Sequence, residues 1–329
     1  MTRPFRRCAA ISACALALAG CGPTYPKERV TDAIVAICKK EYKTDVKAAT
    51  VGKTIGIYLP LENLIDFTFA ISKSASDRIN DVILSVTRVC ISTDAKFDFY
   101  VIVAHDVRIP EIQIVIIKSV EDVKRFLLTD ISRGEYSKRM IVDMRLSPQA
   151  QKEKTIKSIF EKMKLDKKWQ EEVLNDFFRI EPLEIGEIGY WNGRFYLKNI
   201  TLAEFLAAQI ASRIKLEFKD DKALAKMALV RSAKGLYKDR GNERAFEFQV
   251  TTLAKEQESS ADELHVATLK KVLDIASYVF HSYRFAGFDF AEIADLRRDR
   301  VLRISREDLE RYYQKKLKFD DIVKTESAP

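Results

Sequence analysis

A chain of 329 residues, 47% of them hydrophobic and with 19 Phe and 12 Tyr, has material for one large core or two ordinary ones. Only 11 Gly and 8 Pro exclude a collagen-like fibre or a low-complexity chain. The 56 Lys and Arg exceed the 48 Asp and Glu for a formal +8, but the signs are interspersed, which describes a solvated surface and weighs against nucleic acid as a partner.

The first segment is a leader. Arg3, Arg6 and Arg7 precede an apolar run over 8–19, CAAISACALALA, and small residues lead into Cys21. That run falls short of the roughly 20 residues needed to span a bilayer, so it reads as a processing signal and not as an anchor. The ending Leu18-Ala19-Gly20-Cys21 resembles the lipobox of bacterial lipoproteins. The resemblance covers residues 1–21 only. It implies that 1–20 are a signal peptide removed on export. It also implies that Cys21 is the lipidation site, carrying diacylglycerol and palmitate-type acyl chains that hold the protein at the lipid membrane. Gly22 stands where many two-membrane bacteria place an inner-membrane retention Asp. The implied location is therefore extracytoplasmic, on the periplasmic face of the outer membrane where a cell has two membranes.

Beyond a short tether, helix periodicity runs over 26–41 with Val30, Ala33, Ile34 and Ile37 on one face. Two strands or one bent strand follow over 43–59, then an amphipathic helix over 72–90. Cys38 and Cys90 lie in the apolar stripes of these helices; in an exported chain they read either as buried hydrophobes or as a disulfide. Residues 96–105 alternate, with Phe97, Phe99, Val101, Val103 and His105 on one face and Asp98, Tyr100, Ile102 and Ala104 on the other. Ile112, Ile114 and Ile116 mark a second strand. Ser119 caps a helix over 120–130, with Asp122 at the third position of its first turn.

The polar run over 147–154, with Pro148 as a breaker, is the best domain boundary. Helices follow at 153–164 and 167–179, the second lined by Trp169, Val173, Leu174 and Phe177. Asn192-Gly193 between aromatic residues is a tight hairpin. Thr201 and Glu204 form a capping box for helix 202–216. A helix over 221–236, a strand over 244–251 and a helix over 262–283 come next. Strands at 288–293 and 300–304 and a helix at 306–317 close the chain, with fraying expected after Asp321.

The fold class is α+β, in two mixed domains: 21–150, lipid-anchored, and 151–329. The halves echo one another. Phe97-Asp98-Phe99 and Phe288-Asp289-Phe290 each begin a strand pair that leads to a serine-capped helix, at Ser119 and Ser305. Each half reads as helix–strand–strand–helix, as a divergent duplication would give.

Chemical signals are sparse. Three histidines belong to no spaced ligand set, so no metal is expected, and no glycine-rich phosphate loop or other cofactor motif appears. Asp98, His105 and Asp289 are the candidate catalytic groups for an envelope hydrolase with a scattered acid/His site. Tyr190, Trp191 and Tyr196 are the candidate binding residues, if they form an exposed patch. The reading favoured here is a membrane-anchored envelope lipoprotein that binds or assembles, with an envelope protein or cell-wall polymer as partner; the hydrolase is the alternative.

Overall fold

A computed structural model describes residues 24–255, 261–298 and 300–326. The leader and Cys21 lie outside the described residues. Among those described, no helix is long and apolar enough to cross a membrane.

Helix α1 (Val30–Tyr42) buries Val30, Ile34, Ile37 and Cys38 and ends on Lys43 in the left-handed region. The hairpin β1 (Lys47–Val51) and β2 (Thr54–Leu61) follows. Helix α2 (Lys73–Ile91) is capped by Ser72, which accepts from the Ala75 amide, and carries the chain across to β3 (Phe99–Asp106), parallel to β2. Antiparallel β4 (Ile112–Ser119) leads into α3 (Val120–Leu127), capped by Ser119. Helix α4 (Arg133–Arg139) then turns the chain into β5 (Ile141–Leu146), which completes a sheet of order β1-β2-β3-β4-β5.

The connecting segment holds α5 (Pro148–Met163), α6 (Lys167–Phe177) and the small hairpin β6 (Gly189–Trp191) and β7 (Arg194–Tyr196). Asn192 and Gly193 take the positive φ angles, 46° and 81°, that its two-residue turn needs.

The second unit opens with α7 (Leu202–Asp220), whose capping box of Thr201 and Glu204 is formed, and α8 (Lys222–Met227). Hairpin β8 (Ala228–Asp239) and β9 (Arg244–Ala254), α9 (Ala261–Tyr283), hairpin β10 (Phe290–Asp295) and β11 (Arg300–Ser305), α10 (Arg306–Tyr313) and α11 (Phe319–Glu326) follow. The sheet order is β11-β10-β9-β8, with β9 and β10 parallel across α9. The molecule is α+β, with two sheet-bearing regions.

Strands β1–β4 of the first unit and β8–β11 of the second share one topology, in register, and β5 has no counterpart in the second sheet. Phe99 pairs with Ser119, and Phe290 pairs with Ser305. The amide of Asp98 donates to Lys53 O at 3.0 Å, and that of Asp289 to Arg244 O at 2.8 Å. The carbonyls of Asp98 and Asp289 accept from Val120 N and Arg306 N, the first helical residues. At the far ends, Asp106 accepts from Arg108 N and Asp295 from Arg297 N, both through Oδ1. β3 reaches Asp106 seven residues after Phe99, and β10 reaches Asp295 five residues after Phe290, so the second copy is shorter by one side-chain period.

Layering follows from which faces are apolar. Ile55, Ile57, Leu59, Tyr100, Ile102, Ile114 and Ile116 bury one face of the first sheet under α1 and α2. Its other face, with Phe99, Val101, Val103, Val115 and Ile117, joins a second core that includes α7, α9 and the inner face of the second sheet. The central strands of the first sheet therefore read as unbroken apolar runs. Phe99 meets Phe205 of α7 at 4.9 Å between ring centroids. Helix α7 is buried nearly all round, through Phe205, Leu206, Ile210, Ile214 and Phe218. The same core draws residues from both sides of position 150.

Several expectations are corrected. Residues 228–239 form a strand, not the end of a helix over 221–236, because β8 finds a partner edge in β9 along nearly its whole length. Local helix propensity loses to that pairing. Pro148 starts α5 instead of breaking the chain: Ser147 caps it, and proline's missing N–H costs nothing in a first turn. Where fraying was expected after Asp321, residues 319–326 form helix α11, with Phe319 and Ile322 buried. Cys38 and Cys90 are both buried free thiols, so the disulfide reading falls.

Candidate functional site

Asp98 and Asp289 occupy equivalent places at the entrances of β3 and β10, in different sheets. Asp98 pairs with Lys53 Nζ at 3.2 Å, and Asp289 with the Arg244 guanidinium at 3.3 Å. The Arg244 amide also donates to Asp289 at 2.7 Å; that bond and the guanidinium hold its carboxyl below the usual range. His105 stands at the other end of β3, seven residues from Asp98, or about 23 Å along an extended strand. The structure thus does not gather Asp98 and His105 into one acid/His site.

It does join His105 to Tyr190. His105 Nε2 lies 2.9 Å from the Tyr58 hydroxyl, and Tyr58 stacks on Tyr190 with centroids 3.6 Å apart. Lys47 Nζ donates to the Tyr190 hydroxyl at 2.8 Å. Burial lowers the His105 pKa, and burial together with neighbouring Tyr190 pushes Tyr58 up to about 12. Both groups are therefore neutral at neutral pH.

The register extends this cluster across the sheet. His105 pairs with Gln113, and Gln113 with Arg145, on the face of β3, β4 and β5 that looks toward the small hairpin. Gln113 is fully buried, and both polar atoms of its amide lack a partner among the described residues, as do His105 Nδ1 and Arg145 Nε. The Gln149 amide oxygen and the Gln113 amide nitrogen would sit 2.9 and 3.2 Å from a Cβ at position 189, so a larger residue there would push these side-chain amides aside. The Arg145 guanidinium donates to Asp143 at 2.8 Å and to the Ile188 carbonyl. Burial lowers its pKa, against the pull of Asp143.

Tyr190 and Tyr196 are 4% and 6% exposed and so form no surface patch. Trp191 is half-buried, with its indole N–H donating to Glu153 at 2.6 Å. Asn192 donates to the same carboxylate at 2.9 Å. These residues fasten α5 to the hairpin and lay the hairpin on the first sheet.

Arg145 also lines a cleft, a cavity of about 540 Å³. Its walls are β5, the 183–187 segment and β8, and its floor is α7, where Ala207, Ala208, Ala211 and Ser212 leave room. Among the described residues β5 and β8 are edge strands, each paired on one side only. Gly235 lets β8 touch the floor: a Cβ there would lie 2.1 Å from Ala207 O. Most rim charges are paired, while Lys215 is exposed and in no ion pair among the described residues. Asp143 meets Arg145 at 2.8 Å, Glu184 meets Lys234 at 3.0 Å, Glu187 meets Lys152 at 2.7 Å, and Glu204 meets Lys198. No histidine or cysteine lines the cleft among the described residues. Nor do the described residues hold a group of three or more His, Cys, Asp or Glu placed to take a metal ion.

Gln113, Arg145 and the cleft escaped the sequence reading. A signal existed: Gln113 breaks the run Ile112–Ile117 while in phase with the inward Val115 and Ile117. No family model, curated protein or solved structure matches the chain.

Proposed function

We propose that the protein is a membrane-anchored lipoprotein of the cell envelope that acts by binding an envelope protein. The lipobox-like ending at Cys21 supports the address, on the periplasmic face of the outer membrane in a two-membrane cell. The observation that carries binding is the cleft. It presents two free strand edges over an apolar floor, and most of its charges are held in ion pairs. Free edges accept an extended segment through backbone hydrogen bonds. The far side of β5 adds a bare apolar strip, with Val142 45%, Met144 47% and Leu146 54% exposed. A volume of about 540 Å³ falls within the usual range of ligand clefts.

The address is tested by intact mass of the membrane fraction, which should show loss of 1–20 and added lipid on Cys21; an unprocessed terminus refutes it. Binding is tested by placing a photo-crosslinking residue at Met144 or Leu236 in native membranes. One discrete adduct, lost when Val142 and Leu146 become Arg, supports the reading, and no adduct at either position refutes it. Turnover of an envelope substrate, abolished by Asp98→Asn or Asp289→Asn with the fold intact, replaces binding with the hydrolase alternative.

A further inference from the structure

The α5–α6 hairpin is a second surface with its own chemistry. Glu153 is fixed to Trp191 and Asn192, and α5 continues ten residues beyond it to Met163, about 15 Å at the helical rise. The turn at its tip carries Lys162, Lys164, Lys167 and Lys168, all exposed and none in an ion pair among the described residues. The one acid among them, Asp166, caps α6 by accepting from Lys168 N at 2.8 Å. Met163 and Trp169 flank these lysines at 63% and 61% exposed. Ile159 lies one turn before Met163 and Val173 one turn after Trp169, at 47% and 42% exposed. Helix α6 buries none of its residues, and the stripe Trp169, Val173 and Phe177, expected in a core, is left 61%, 42% and 39% exposed among the described residues.

A merely solvated tip needs lysines but gains nothing from an exposed Trp and Met. An aromatic ring and a thioether among lysines suit the boundary between lipid headgroups and acyl chains. There the apolar bodies enter the interface and the ammonium groups stay with phosphate. The four unpaired positive charges specify that the surface be anionic. We propose that the 162–169 tip docks on an anionic bilayer, with Met163 and Trp169 in the interface and the four lysines on lipid phosphates. The inference is independent of lipid on Cys21, since it rests on this hairpin alone.

The chain's two tryptophans make the test direct. The full chain carrying Trp191→Phe keeps Trp169 as its only indole. It is mixed with vesicles of phosphatidylcholine alone, or with about a quarter phosphatidylglycerol, in each case with brominated acyl chains. The expected result is a blue shift and bromolipid quenching of Trp169 in the anionic vesicles only. Replacing the four lysines by Gln should weaken quenching and partition by at least about tenfold, with circular dichroism unchanged. Absence of quenching in anionic vesicles, equal quenching in neutral ones, or quenching indifferent to the lysines each overturns the proposal. A chain that lacks lipid shows that by mass and leaves the Trp169 signal readable. Failure of the Cys21 reading and failure of this one are therefore distinct.

Discussion

Gly235→Ala tests the packing that shapes the cleft. Position 235 has an ordinary negative-φ backbone, so replacing Gly by Ala in open space there would stabilise by about 0.4–1 kcal/mol through the unfolded state. Contact reverses the sign. The new Cβ stands 2.1 Å from the Ala207 oxygen and 2.7 Å from its carbon, both backbone atoms that no rotamer change can remove. Reaching an ordinary 3.4 Å contact means moving β8 from α7 by more than an ångström. A gap of about 0.5–1 Å already forfeits a quarter to a half of the dispersion well, and Phe205, Leu206 and Ile210 share this layer. The expected cost is about 2–4 kcal/mol, seen as a fall in Tm of roughly 5–10 °C. The control is Gly186→Ala, where no atom lies within 4 Å, with an effect within about 0.5 kcal/mol. Urea and thermal unfolding followed by circular dichroism give both numbers. Equal stability of Gly235→Ala and wild type would mean that α7 and β8 are not in contact as described, and the cleft's wall would fall with them.

Asp122, 3% exposed, bonds Arg139 at 2.8 Å and the Tyr283 hydroxyl, tying α3 and α4 to α9; Asp122→Asn should cost about 3 kcal/mol in urea unfolding, and a cost below about 1 kcal/mol would show the tie to be idle. Burial raises both thiol pKa values, that of Cys90 to about 12. Native protein at pH 8 should therefore react slowly with a thiol reagent and release both Cys38 and Cys90 on unfolding, whereas no reaction after unfolding would indicate a disulfide. Lys118, 4% exposed, has its pKa lowered from 10.5 to about 8 by burial. It binds its proton less tightly folded than unfolded, so stability should rise with pH between about 8 and 10.5. Lys118→Met should remove that slope and add on the order of 1–2 kcal/mol near pH 7, discounting for the ring of Tyr136 that its ammonium faces at 4.5 Å; an unchanged slope in pH-dependent urea titrations counts against this.

Much of the fold was legible because its signals are local. Ser119, Thr201 and Ser305 announce helix starts, Asn192-Gly193 announces a turn, and the Phe-Asp-Phe echo announces two copies of one strand entrance. What escaped depends on contacts distant in sequence. β5 and α4 passed unnoticed, and β8 looked helical until β9 lay beside it. Tyr190 looked like a surface aromatic because nothing nearby in sequence shows that Tyr58 stacks on it. The cleft needs two edges more than eighty residues apart, β5 and β8, to meet over one helix. In α6 periodicity was read as burial, but the same pattern serves an amphipathic helix left exposed.

Helix α7 serves both sheets, and this sets an order of events during synthesis. The first sheet is complete once β5 has emerged, yet the face with Phe99, Val101, Val103, Val115 and Ile117, which the 189–196 hairpin covers only in part, lacks its helix until residues 202–220 arrive. Those are roughly 60 residues later, or about 3–12 s at ordinary elongation rates. Through that interval a nascent chain displays an apolar sheet face beside an open edge, the combination most prone to wrong association. The second unit's first helix thus ends the first unit's exposure, so any truncation before residue 220 should yield a sticky product, however well its own strands pair.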